Sequence, residues 1–512
     1  MALKIGGTEV VDNNRQLKNI ASVDATTVAA LGVAGVGGGG GFELTTSEAV
    51  VEGHTLAYNF TSGKVGKVRR TGGNGYTNLG TLQSHMTGRI AHISGDVFAV
   101  NYEDSSNNQH SITLARWNSS TNTFTSGTPH GFSGRSGLPS QSAIVLYSSA
   151  TNKVIFITMY NLSGSNYNLH IMAFTPNTTN LTLAGAGSEA VDSSITSSGP
   201  NTLSGTLDST GTKAFVMYRS TGSHSSGQFG MGRVISIGAS GTSTLTVGSI
   251  TGPDSSNYFG SGDFDNHHVT SDGNQIIASY WNAGNYYAAA GTLSGTSISW
   301  GSRVNLSGVY HTYYSNGNLF KHSGGKFGVV VHTGSSTVGM RYFSVSSSNV
   351  ISGATSSSIS IDTSNTPIYI SYDSTNNRLY FGSYSGSVTK FGSMTLNTSV
   401  PTEISSTVDS VNVLSNGTSV LSTSYNPSAE ICFYGLNGSN LFGYYAPEID
   451  NFNFFVGVAK EAASANTTVK IANSGQIATG LSGLTAGNGY RIIYTGGFQA
   501  QGSFLTDKAI LN

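Results

Sequence analysis

Gly211-Thr212-Lys213-Ala214-Phe215-Val216-Met217-Tyr218 is a polar turn followed by a short apolar run that ends in an aromatic residue. Asn152-Lys153 leads in the same way through VIFITMY to Tyr160, and Gly95-Asp96 through VFAVNY to Tyr102. Apolar runs this short, bounded by Gly and Asn, are strands, because a helix needs at least about 10 residues. Outward from these three, further copies end at Tyr58, Tyr280, His332, Tyr384 and Tyr425. From Tyr58 to Tyr425 the mean spacing is about 52 residues. Each window holds other short runs. GRIAHIS, SAIVLYS, TPIYISYD and VNVLSN precede turns, and SITLARW, NLHIMAF, VGMRYFSV, VTKFGSM and AEICFYGL follow the aromatic. A fourth, weaker run such as STLTVGSI or SISWGSRV comes after.

Four short antiparallel strands in about 50 residues is the blade of a β-propeller. One blade cannot bury both of its faces, so blades must stack around an axis. The tight turn joins the first two strands, A and B, with Asn and Gly supplying positive φ. Strand B is the most apolar run because it lies between neighbouring blades. A solenoid would need shorter repeats, a sandwich would not give eight similar windows, and Ig-like modules would need about 100 residues each. The expected fold is therefore all-β, a seven- or eight-bladed β-propeller over residues 42–449.

Composition bounds the function. Of 512 residues, 24 are Lys or Arg and 25 Asp or Glu, a charged share of 10% against about 25% in ordinary globular chains. The net charge of −1 excludes a strongly basic nucleic-acid binder and an acidic disordered chain. No apolar run reaches the roughly 20 residues of a membrane span. The single cysteine, Cys432, excludes an intrachain disulfide and reads as a buried core thiol within Ile431-Cys432-Phe433. The start, MALKIGGTEVVDNNRQ, lacks the apolar stretch of a secretory signal, so the chain is expected to be made in a cytoplasm.

Residues 1–34 stand apart from the repeats, with a short helix expected from Asp24 to Leu31. They run into five consecutive glycines, Gly37 to Gly41, which cannot hold a helix or a strand. Residues 35–41 read as a flexible hinge. Residues 450–512 break the repeat and read as a small separate β domain, with strand-like runs at Thr467–Ile471 and Tyr490–Tyr494.

The stretch GGTEVVDNNRQLKNIASVDATTVAAL (Gly6 to Leu31) resembles the virion-attachment leader of bacteriophage tail fibres and related appendages. FVGVAKEAASANTTVKIANSGQIATGLSGLTAGNGYRIIY (Phe455 to Tyr494) resembles a module near the ends of phage tail and fibre proteins. The resemblance implies a structural virion protein, assembled in the bacterial cytoplasm, with residues 1–34 docked to other virion proteins. It also implies a homo-oligomer, a trimer being usual for fibres. The propeller itself resembles no particular family.

Candidate chemistry is sparse. Sialidase-like propellers carry Ser-x-Asp-x-Gly-x-Thr-Trp turns and an arginine cluster, whereas Thr270-Ser271-Asp272-Gly273 lacks the Thr-Trp and the arginines are scattered. Asp263 and Asp265 lie in a Gly/Ser loop, so a paired-carboxylate glycosidase is not indicated. His267 and His268 are adjacent on a strand and point to opposite faces, so they do not chelate together. No enzymatic activity, cofactor or metal is expected. The aromatics that end the strands read as packing between blades. In a propeller the B–C loops and the connections between blades open on one face, which places Tyr258, Phe259, His267, Trp281, Tyr286 and Tyr287 near one end. Exposed aromatics with Asn, Ser and His suit saccharides, because rings stack on sugars and amides bind hydroxyls. The expected function is therefore a phage appendage protein presenting a propeller to a host-surface glycan. A capsid or tail decoration protein with no ligand is the alternative, and a polysaccharide depolymerase a third.

Overall fold

The computed structural model describes residues 42–59 and 63–77 with gaps, most of 85–472, and short pairs at 3–5 with 8–11 and 490–492 with 498–500. The expected helix at Asp24–Leu31 and the glycine hinge at 35–41 lie outside the described residues. So do several internal stretches, among them 307–317 and 398–408. Two units emerge, Gly73–Pro447 and a smaller one built from Met1–Gly72 with Glu448–Asn512.

The larger unit is a β-propeller. Its described strands form seven four-stranded antiparallel groups. The innermost strands, in order, are His85–Ser94, Ala143–Ser148, Leu203–Leu207, Phe264–Asp272, Asn318–Lys321, Tyr369–Asp373 and Val420–Asn426. Each touches the next, and the last touches the first, so the ring closes. Blades 2 and 3 are joined by one further pairing, Thr196 with Thr221. Blade 7 has only three consecutive strands. Its fourth is Gly73–Thr77, paired antiparallel with Phe442–Ala446. One strand from each end of the unit thus completes a single sheet, which fastens the ring.

The seams between blades are the core, because each apolar strand face meets the next blade. Ile155, Ile157 and Leu169 of blade 2 pack on Val216, Tyr218 and Met231 of blade 3. Phe215 and Met217 of blade 3 pack on Phe264, Ile276 and Tyr280 of blade 4. Between blades 6 and 7, the Phe391 and Tyr434 rings stack at 4.0 Å and 5°. That approach needs glycine on the sheet: a Cβ at Gly443 would lie 2.0 Å from Phe391, and one at Gly382 would lie 2.6 Å from Tyr434. Between blades 7 and 1, Phe433 meets Phe98 at 4.7 Å and Trp117 at 5.0 Å. Cys432 is buried in the seam between blades 6 and 7, as its apolar neighbours indicate. Burial pushes its thiol up to about 12.

Tyr102, Tyr160 and Tyr218 occupy the far end of strand B in successive blades, as the repeat requires. Where the A–B turns of blades 1 to 6 are tight, residues take positive φ: Gly95, Asn152, Gly211, Gly273, Gly324 and Asn377.

Two expectations need correction. Val420–Tyr425, read as a strand B, is the innermost strand of blade 7, and the preceding run VNVLSN belongs to the outermost strand of blade 6, Asp409–Leu414. Alternating apolar residues mark a strand but carry no label for its distance from the axis. The window ending at Tyr58 is not a blade at all. Thr55–Asn59 pairs with Phe454–Ala459 in the smaller unit, and Phe42–Thr45 pairs with Thr468–Ala472. The propeller therefore spans 73–447 rather than 42–449. The expected C-terminal β domain is likewise shared between both chain ends.

The smaller unit's sheet runs in the order Phe42–Thr45, Thr468–Ala472, Phe454–Ala459, Thr55–Asn59, Lys64–Lys67. It buries Val50, Leu56, Val65, Val469 and Ile471. Among the described residues no helix is long and apolar enough to cross a membrane.

Candidate functional site

Converging inner strands leave a cavity on the propeller axis, about 240 Å³ in volume. All seven blades contribute to its wall. The polar lining includes Arg89, Ser204, His267, His268, Tyr369 and Thr423, between apolar residues such as Ile144 and Val269. Every one of these sits on an innermost strand, so the ring itself fixes the arrangement. The Arg89 guanidinium lies 5.7 Å from the centre of the Tyr369 ring. Blade 7 separates the blades that carry these two residues, so the contact reaches past its inner strand.

Hydrogen bonds between neighbouring inner strands stiffen the wall. Ser204 Oγ and His267 Nδ1 are 2.8 Å apart, which ties blade 3 to blade 4. Ser371 donates to Thr423 Oγ1 at 2.9 Å, and Thr423 donates to the Ile370 carbonyl at 2.7 Å, tying blade 6 to blade 7. The His92 N–H donates to Ser424 Oγ at 2.9 Å across the closing seam. Burial, and next the neighbouring His267, push His268 well below the ordinary histidine value, so it is neutral near pH 7. No carboxylate is among the described lining residues.

A second cavity, about 490 Å³, lies toward the A–B turn ends of blades 4 to 6, near Lys321, His322, Tyr372 and Asn377. Several of its polar groups already pair with protein. Lys321 Nζ is 2.7 Å from the Asp272 carboxylate, and the Tyr372 hydroxyl donates to Asn377 Oδ1 at 2.7 Å. Among the described residues no cluster of three or more His, Cys, Asp or Glu side chains is placed to hold a metal.

The aromatic loop site expected from sequence is corrected by burial. Phe259 is 0% exposed, His267 2%, Tyr286 2% and Trp281 8%. Phe259 packs against Tyr280 at 5.2 Å and Trp300 at 5.0 Å, in the seam of blades 3 and 4. Trp281 and Tyr286 join the apolar cluster between blades 4 and 5. Burial raises the Tyr286 phenol, which hydrogen-bonds with Ser279 Oγ at 3.1 Å. Tyr258 and Tyr287 keep partial exposure. Tyr258 lies 5.0 Å from Phe229, and the Arg303 guanidinium sits 4.5 Å over the Tyr287 ring. These aromatics fill the wedges between twisted sheets, the role first given only to the strand-end tyrosines.

His267 has a different place from the one expected. It lines the axial cavity together with His268, although the two were read as facing opposite sides. A register shift between Asp265 and His268 interrupts simple alternation there. Arg89, inside GRIAHIS, was passed over. A cation within an otherwise apolar run ahead of a turn was the available signal.

No family model matches the chain, and no curated protein matches it. Solved structures do. The periplasmic gluconolactonase of Pseudomonas aeruginosa matches at 10% identity and a TM-score of 0.44, over 73% of this chain and 95% of that one. Raptor of Chaetomium thermophilum matches at 13% identity and 0.43, over 75% of this chain but only 30% of that one. A glucose dehydrogenase matches at 7% identity and 0.36, over 72% and 99%. Two of these three are named as enzymes, which runs against the expectation that the chain is not an enzyme. Likeness this distant brings neither activity to this chain.

Proposed function

We propose that the chain is a recognition protein of a phage virion appendage, and that its propeller binds a saccharide of the host surface in the axial cavity. The observation that carries this reading is the cavity wall. One arginine, one tyrosine, two histidines and several hydroxyls converge there from all seven blades. A few fixed polar groups among apolar ones suit a small hydroxyl-rich ligand. A volume of about 240 Å³ suits one sugar residue rather than a long chain. The terminal stretches that resemble fibre proteins support the appendage part of the reading.

In this scheme residues 1–34 dock to other virion proteins. A seven-residue glycine-rich hinge has a root-mean-square span of about 14 Å, short enough to hold several propellers close together. Three propellers on one trimeric base add weak sugar contacts through effective concentration.

Two experiments test the reading. Intact chain on a glycan array is expected to retain saccharides of the host surface. Labelled chain is expected to appear on an appendage in images of particles. Absence from particles removes the virion assignment, and an array with no bound saccharide removes the recognition assignment.

A further inference from the structure

We infer that the two cavities are successive subsites for one ligand, a saccharide chain of two or more residues lying along the propeller axis. One residue occupies the axial cavity and the following ones run toward the A–B turn ends of blades 4 to 6. The inference rests on the saccharide reading above and adds a length and a direction to the ligand. Leu319 and Ile370 line both cavities. On the inner strand of blade 4 the lining passes from Val269 in the first cavity to Thr270 in the second. On blade 5 it continues from Leu319 through Phe320 and Lys321. At about 3.3 Å per residue, the run from Leu319 to Ser323 covers up to about 13 Å, longer than one sugar ring.

Volume points the same way. Small-molecule sites usually hold about 300–1,000 Å³. The axial cavity, about 240 Å³, falls below that range alone, and the second, about 490 Å³, adds about twice as much room. The second wall combines apolar surface from Phe320 and Ile370 with the hydroxyls of Thr270, Ser323 and Ser374. Its Tyr372 ring is held in place, 5.0 Å from the Phe320 ring and tied through its hydroxyl to Asn377. Lys321 is fixed by Asp272, and an ammonium has three N–H donors, so the paired group retains donors for a sugar hydroxyl. Lys321, Ser323 and Ser374 are exposed, so this end of the axis meets solvent and gives a chain its way in.

Calorimetric titration of the intact chain tests this, with glucose, galactose, mannose and N-acetylglucosamine each supplied as mono-, di- and trisaccharide. Within the series that binds, the trisaccharide is expected to bind at least about tenfold more tightly than its monosaccharide, corresponding to about 1.4 kcal/mol. Ser323→Trp and Ser374→Trp, two bulky changes at exposed positions of the second cavity, should each abolish that gain, so that the trisaccharide binds a variant no better than the monosaccharide does. The length series needs no variant, so it decides the matter if a substitution disturbs folding. Equal binding of mono- and trisaccharide by the unaltered chain would overturn the second subsite and leave the saccharide reading intact. A gain with length that survives both tryptophan variants would also overturn it, since the added residues would then lie elsewhere. If no member of any series binds, the inference is wrong, and the glycan array decides separately whether the saccharide reading stands.

Discussion

Phe98 and Phe433 are distant in sequence, yet their rings meet edge to face with centroids 4.7 Å apart. Both are 0% exposed. Phe433 belongs to strand B of blade 7, and its aromatic neighbours Phe98, Trp117 and Phe124 all belong to blade 1. Only a closed ring brings them together. Truncating either phenylalanine to alanine should cost about 3–5 kcal/mol, because a fully buried ring leaves a cavity. That is a large part of a total stability of about 5–15 kcal/mol. The mutual contact accounts for about 0.5–1.5 kcal/mol of each cost. Phe98→Ala/Phe433→Ala should therefore be less destabilised than the two single costs added together, by about that amount. Urea unfolding gives the four stabilities, followed by circular dichroism and by tryptophan fluorescence, since Trp117 lies 5.0 Å from Phe433 and reports on the same seam. Costs that add within about 0.3–0.5 kcal/mol would mean that the two rings do not touch, and closure would fail with them.

Gly443→Ala should destabilise by about 1–3 kcal/mol, measured by urea unfolding, because the new methyl would lie 2.0 Å from the Phe391 ring. Cys432 should resist alkylation in the folded chain and react after denaturation, since burial holds its thiol at about 12; mass spectrometry reads both states. Stability should fall as pH drops below about 6.5: His92, His268 and His322 are held below their ordinary value mainly by burial, so the unfolded chain takes up protons that the folded chain resists. Urea midpoints at pH 7 and pH 5 check the sign, and His268→Phe should reduce the difference.

Strand B was legible because it is sandwiched between blades and must be continuously apolar, as in Ala214 to Tyr218. Its turn was legible because residues such as Gly211 and Asn152 adopt positive φ there. Radial position was not legible. Val420–Tyr425 carries the same pattern on an inner strand, since an inner strand also packs on both neighbouring blades. Nor does a local pattern reveal pairing partners: Leu56 and Tyr58 alternate like a blade strand but meet Phe454–Ala459. The candidate site was misplaced for a related reason. Phe259 and Trp281 lie near loops in sequence, yet their rings turn into seams that only the assembled ring defines. Arg89 and His268 are distant in sequence and share a cavity only because seven inner strands converge.

The most direct test of the account is a crystal structure of the full chain with a bound saccharide that the glycan array retains. The account places the sugar on the propeller axis, among the lining side chains such as Ser204, His267, Tyr369 and Thr423, with the inner strands of opposing blades around it. A sugar bound instead on the outer loops, at Tyr258 or Tyr287, with the axial cavity unoccupied, would contradict it.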